Sequence, residues 1–171
     1  ITITDDDMAI VINESGGELL NEDFEDETGW ITGDFLGTSV NVWTYSNNGG
    51  TGITGRSAHI TNNTATDPLQ YTITGTSQVF LRAPLVNTSG YTSPTLEFTY
   101  KCYGELFSGT LYDYGALIYS LGSAPGSFFI LTDDDGNPAY FYNQPNATQV
   151  SIPLPSYLQD ESLHIGFYWI N

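Results

Sequence analysis

The segment TLEFTYKCY, residues 95–103, decides the fold class of this chain. Its side chains alternate in character, with Leu96, Phe98, Tyr100 and Cys102 on one face and Glu97, Thr99 and Lys101 on the other. Successive side chains of an extended strand point to opposite faces of the sheet. The alternation therefore predicts a β-strand with one buried face.

The same type of pattern continues on both sides of this segment. Further strands are predicted at residues 78–84, 115–121, 127–132, 139–143, 149–154 and 163–170, with Gly, Pro and Asn turn signals between them. No stretch has a convincing helical period, and residues 46–55 (SNNGGTGITG) predict a surface loop. We expect an all-β fold, a jelly-roll β-sandwich of two antiparallel sheets over residues 21–171. Residues 1–20 are expected to form an N-terminal extended arm or linker.

Composition supports a single all-β domain. The chain has 171 residues, of which 14% are aromatic, and this length suffices for one sizeable core. Cys102 is the only cysteine, so the sequence predicts a buried thiol without a disulfide or a cysteine-based zinc site. No apolar run approaches the roughly 20 residues of a membrane helix, so we expect no membrane insertion.

Charge narrows the range of partners. Twenty acidic residues against Arg56, Arg82 and Lys101 give a net charge of −17, which opposes binding to nucleic acid or to an anionic membrane. Eleven of the twenty acids fall within the first 34 residues. A divalent cation such as calcium is the natural partner for such crowding.

Several landmarks occur in a recognisable order. They are Phe24-Glu25, Gly29-Trp30, Trp43 before the glycine-rich loop, the long segment FLRAPLVNTSGYTSPTLEFTYKCY, then ALIYSLG, and a final SIPLPSYLQDESLHIGFYWIN. This order resembles the MAM-like jelly-roll domains of bacterial exported surface proteins, the group with cleaved-adhesin and choice-of-anchor modules. The resemblance covers residues 21–171. It implies a secreted or cell-surface adhesion or attachment module that belongs to a larger exported protein. The first residue, Ile1, suggests a processed product or a piece of a longer protein.

The resemblance also implies a structural calcium bound by Glu25 with nearby carbonyl groups. Asp23 shares a face with Glu25 in an extended segment, and Asp34 or Asp67 would contribute from loops. Phe24, between Asp23 and Glu25, is expected to point into the core. The alternative for these acids is a solvated strand end, and Asp26 and Glu27 are expected to be solvated neighbours.

Enzymatic chemistry has little support in the sequence. His59 and His164 lack a nucleophile elbow such as G-x-S-x-G, and His164 lies within a predicted strand. Glu97 and Glu105 are the nearest candidates for a glycosidase pair, and nothing distinguishes them from background. We therefore expect no catalytic residues and no enzyme. Residues 133–138 (DDDGNP) favour a hairpin turn with Gly136 over a calcium loop.

Saccharide binding is the main alternative within the binding functions. Exposed aromatic rings can stack on sugar rings, and the candidate ligand-binding residues are Trp43, Tyr45, Tyr112 and Tyr114. Trp30 and Trp169 are expected in the core.

The expected partner is a surface protein or a glycan ligand. The given sequence stops before the acidic last strand that usually ends such domains, so we expect either that the strand is cut off or that another segment or chain supplies it, which would leave an open sheet edge. A third possibility is therefore a surface filament assembled by strand exchange, in which residues 1–13 pair with another copy or domain.

Overall fold

The computed structural model describes residues 2–4, 11–14, 17–25, 29–48, 50–66, 69–122 and 127–171. These residues form two antiparallel sheets, which confirms the predicted all-β class, and the jelly-roll arrangement stays a prediction. The described part contains one short 3-10 turn, Ser156–Leu158, and no helix there is long and apolar enough to cross a membrane.

The strands of the described residues are numbered in chain order. They are β1 (Thr2–Thr4), β2 (Val11–Glu14), β3 (Gly17–Leu20), β4 (Ile31–Asp34), β5 (Val42–Ser46), β6 (Ser57–Thr61), β7 (Gln78–Arg82), β8 (Val86–Asn87), β9 (Thr95–Cys102), β10 (Glu105–Phe107), β11 (Thr110–Leu121), β12 (Phe129–Ile130), β13 (Tyr140–Phe141), β14 (Gln144–Pro153) and β15 (Ser162–Ile170).

The first sheet is organised around β9. Its order is β3-β2-β9-β1-β6-β5, and β14 pairs with the opposite side of β9. The second sheet has the order β10-β11-β15-β7-β4, with β12 and β13 added to β11 and β8 added to β15. Strand β15 lies between β11 and β7, so the last strand of the sequence is an interior strand of its sheet.

One hydrophobic core joins the two sheets. Phe98 of β9 contacts Phe167 of β15 edge to face, with ring centroids 5.1 Å apart. Leu96, Phe98 and Cys102 are fully buried, which confirms the inward face predicted for this strand and the buried thiol. Trp30 and Trp169 are also core residues, as predicted.

The described strands within residues 1–20 pair with the first sheet. Strand β1 pairs with both β6 and β9, and β2 pairs with β9 and β3. The backbone of this segment therefore completes the first sheet of its own chain, because β9 would otherwise have no hydrogen-bond partner on that side.

The turn at residues 133–137 confirms the hairpin prediction. Gly136 has a φ of +86°, and the Asp133 amide donates to the Asn137 carbonyl over 3.0 Å. The Asp133 carboxylate accepts hydrogen bonds from the backbone and side chain of Asn137. These bonds are the main reason that the pKa of Asp133 lies below its usual range. This carboxylate stabilises a turn, which is the role that short polar side chains commonly have there.

Phe24 anchors the start of the globular pattern. Its side chain is 1% exposed, with its ring centroid 5.3 Å from that of Trp30 and 5.8 Å from that of Tyr45. The Phe24 backbone has a φ of +59°, in the left-handed region that non-glycine residues seldom adopt. The Glu22 carboxylate holds this conformation by accepting the Phe24 amide at 2.7 Å.

We expect Phe24→Ala to lower the free energy of unfolding by about 3–5 kcal/mol, because it removes a fully buried ring and leaves a cavity. Phe107, which is 62% exposed, is the matched control, and Phe107→Ala should change stability by less than about 0.5 kcal/mol. Urea unfolding of the three proteins measures both effects. Equal losses in the two variants would show that Phe24 is not a core anchor.

Candidate functional site

Glu25, the first predicted calcium ligand, contacts Arg56. Its carboxylate Oε1 accepts the Arg56 backbone amide at 3.0 Å. The Arg56 guanidinium in turn donates to the Glu25 carbonyl at 3.0 Å and lies 3.4 Å from the Phe24 carbonyl. The cation beside these backbone carbonyls is thus an arginine of the chain itself.

Asp23 and Asp34 each stabilise a local turn. Asp23 Oδ1 accepts the Glu25 amide at 3.0 Å. Asp34 accepts the Leu36 amide at 2.9 Å and the Ser39 amide at 2.8 Å. Desolvation acts to raise the pKa of Asp34, but hydrogen bonds from Ser39, Leu36 and Gly37 outweigh it and hold that pKa below its usual range.

The predicted calcium ligands do not converge in the described structure. Within the described ranges, no three His, Cys, Asp or Glu side chains form a group that could hold a metal ion. Asp67, Asp26 and Glu27 lie outside the described residues. Because Asp67 lies outside the described residues, the calcium assignment stays a prediction.

The predicted aromatic platform on β5 is not at the surface. Trp43 is 5% exposed, and its indole N–H donates to the Val79 carbonyl in the opposite sheet at 3.3 Å. Tyr45 is half-buried against Phe24, and its hydroxyl is buried. Burial, followed by the nearby charge of Glu22, raises the pKa of Tyr45. Trp43 and Tyr45 are alternate residues of one strand and share its face, and the buried ring of Trp43 presents no face for stacking.

Tyr112 and Tyr114 lie on β11 with different exposure. Tyr112 is 55% exposed, whereas Tyr114 is half-buried against Tyr140, with ring centroids 5.0 Å apart. Tyr112 therefore remains available as a surface residue. Tyr114 is engaged in packing between neighbouring strands.

The two histidines are buried. His164 is 5% exposed, and its Nδ1 lies 3.0 Å from the Ala83 carbonyl and 2.9 Å from Arg82 Nη1. His59 is fully buried in β6. These contacts link His164 of β15 to Arg82 and Ala83 at the end of β7.

A cavity of the described structure lies beside Lys101 and Tyr71. Its volume is about 380 Å³, within the range of small-molecule sites. The wall combines two loop segments, residues 50–51 and 69–71, with the end of β9. Its lining residues are Gly50, Thr51, Ile60, Leu69, Tyr71, Lys101 and Tyr103.

Lys101 is the charged group of this cavity. Sequence alternation places it on the outer face of β9, yet the side chain is only 4% exposed because the two loop segments cover it. Its Nζ donates to the Thr51 carbonyl at 3.2 Å. Burial lowers the pKa of Lys101, since the ammonium loses part of its hydration.

Gly50 permits the close approach of the first loop to Lys101. Gly50 has a φ of +78°, and a Cβ atom at this position would lie 2.7 Å from Lys101 Nζ and 2.8 Å from a methyl carbon of Leu69. A side chain at residue 50 would therefore displace the amino group or the opposite wall.

Tyr71 and Tyr103 give the cavity one fixed and one exposed ring. The Tyr71 hydroxyl donates to Asp113 Oδ2 at 3.2 Å, and its ring lies edge-on to Trp169 with centroids 4.8 Å apart. Burial raises the pKa of Tyr71, and the negative charge of Asp113 raises it further. Tyr103 is 64% exposed at the same cavity. The site thus has a rigid polar wall and an accessible aromatic face.

Neither Tyr71, Tyr103 nor Lys101 is among the residues that sequence reasoning selected. The sequence held one signal for this site. Lys101 is one of only three basic residues, and it lies two positions before Tyr103. The approach of residues 50–51 and 69–71 depends on tertiary structure and leaves no local pattern.

Comparisons of the chain with protein-family models, with curated proteins and with solved structures found no match.

We expect Asp34→Asn to destabilise the protein near neutral pH and to have little effect in acid. A pKa lowered by folding contributes stability above the unfolded value of 3.8, and this stability is lost as the pH falls through the lower folded pKa. Urea unfolding at about pH 7 and about pH 2.5 measures the difference. Asp23→Asn, which loses one described acceptor contact, is the control with a smaller effect. A loss for Asp34→Asn that is the same at both pH values would contradict this role.

Thermal unfolding tests the calcium prediction. A calcium ion held by Glu25 in the folded state would raise the melting temperature by several degrees in millimolar calcium relative to chelator, because the ion binds the folded chain alone. Glu25→Gln should then remove the increase, while Asp133→Asn should retain it. An identical melting temperature with calcium and with chelator would refute the site.

Proposed function

We propose that this chain is a non-catalytic attachment module, a jelly-roll β-sandwich of the MAM-like type, from a secreted or cell-surface protein. Two antiparallel sheets around one core are consistent with that fold. The order of the landmarks from Phe24 to the final strand supports the type. The module would serve adhesion through a ligand that is bound at its surface.

The cavity beside Lys101 is the observation that carries this proposal. It joins an exposed tyrosine, an amino group and a hydroxyl held by Asp113 within one concave site. Ligand sites commonly combine apolar walls with a few placed polar groups. The residues at this cavity are suited to hold a ligand.

A glycan is the favoured partner class. The exposed ring of Tyr103 can stack on the apolar face of a pyranose, while Lys101 and Tyr71 offer hydrogen bonds to hydroxyl groups. The net charge of −17 opposes polyanionic partners. The strongly exposed aromatic residue at the cavity therefore points to a saccharide more than to a nucleic acid.

A glycan array tests the proposal by comparing two variants, one that removes the aromatic ring at the cavity and one that removes an exposed ring away from it. We expect wild type to bind a subset of glycans and Tyr103→Ala to lose roughly tenfold or more of that binding, since a stacked ring contributes about 1 kcal/mol beyond its buried area. Phe107→Ala, which removes a similarly exposed ring that does not line the cavity, should bind as wild type does. An empty array for wild type, or equal losses in both variants, would refute glycan binding at this cavity.

A further inference from the structure

We infer that the cavity selects a saccharide that carries a carboxylate, with the carboxylate on Lys101 Nζ and the sugar ring on Tyr103. This inference rests on the proposed function, because it names the ligand class of the same cavity. Three observations support it: the hydrogen-bond partners of the Lys101 ammonium, the residues that line the cavity and the net charge of the chain.

The Lys101 ammonium has unused hydrogen-bonding capacity. An ammonium group carries three donors, and the bond to the Thr51 carbonyl uses one of them. Of the described residues, none places a carboxylate in an ion pair with Lys101. In a chain with twenty acids, this buried cation is left without a described counter-charge.

Burial makes the missing counter-charge significant. Lys101 is 4% exposed, and a charge removed from water is costly unless it is paired and hydrogen-bonded. A ligand carboxylate that enters the cavity would supply both the opposite charge and two acceptor oxygens. Charge-assisted hydrogen bonds of this kind are stronger than neutral ones.

The remaining wall suits a sugar ring rather than a small acid alone. Ile60 and Leu69 are apolar, Tyr103 offers an exposed ring, and the Tyr71 oxygen can accept a hydroxyl because its own proton is donated to Asp113. A simple carboxylate such as acetate would reach Lys101 but would leave these groups unused.

Net charge limits the ligand to few negative charges. The field of a chain at −17 repels polyanions over several ångströms, whereas a single carboxylate in contact with Lys101 gains a local attraction. A monoanionic sugar acid meets this limit. A polyphosphate or a nucleic acid does not.

Titration calorimetry with matched ligands tests the inference on the unaltered protein. The probes are glucuronate, its neutral amide glucuronamide, glucose and acetate. We expect glucuronate to bind at least about tenfold more tightly than each of the others, because only glucuronate offers both the charge and the ring.

Two variants test whether Lys101 and Tyr103 produce the preference for glucuronate. Lys101→Met preserves most of the side-chain volume and should remove the difference between glucuronate and glucuronamide, while Tyr103→Ala should weaken both ligands. Phe107→Ala, which removes an exposed ring that does not line the cavity, should retain wild-type affinities. Melting temperatures of the variants confirm that each is folded, and the amide comparison tests the charge even if Lys101→Met does not fold.

The possible results separate this inference from the proposed function. Equal affinities for glucuronate, glucuronamide and glucose would overturn the carboxylate assignment and leave glycan binding in place. Acetate binding as tight as that of glucuronate would overturn the assignment of the ring to Tyr103. If no saccharide binds here and the glycan array is empty as well, both proposals fail.

Discussion

The buried amide of Asn41 is the constraint on which the candidate site depends. Asn41 is fully buried, its Oδ1 accepts the Thr72 amide at 2.7 Å, and its Nδ2 lies 2.9 Å from both Ser77 Oγ and Asn171 Oδ1. An unsatisfied amide in such a place would be costly, so these bonds strongly favour one arrangement. They join the start of β5, the segment before β7 and the end of β15.

This network fixes the loop that forms one wall of the cavity. Tyr71 directly precedes the residue that Asn41 binds, and Tyr71 is further held by Asp113 and by the ring of Trp169. A side chain that is held by two contacts, next to an anchored backbone, loses less entropy on binding a ligand. The stability of the core and the shape of the cavity therefore have a common origin.

The three basic residues have three different surroundings. Arg56 binds backbone carbonyls at the turn of Phe24, and Arg82 lies against His164 within the second sheet. Lys101 alone combines a cavity wall with an ammonium that has one described acceptor. Such placement would allow the proposed contact with an anion even in a strongly acidic chain, since short contacts outweigh a screened field.

The amino-acid sequence alone determined the features that depend on a few neighbouring residues, because alternation and turn chemistry act over that range. These features are the strand type, the inward face of β9, the turn at Gly136 and the core positions of Phe24, Trp30 and Trp169. Trp43 and Tyr45 show the limit of such reasoning. Their spacing places both rings on one face of β5, but the second sheet, where the Trp43 indole donates to the Val79 carbonyl, makes that face the buried one. Likewise, alternation assigned Lys101 to the outside, and only the loops at residues 50–51 and 69–71 enclose it. Local pattern determines which side chains share a face, whereas contacts between residues distant in sequence decide what covers that face.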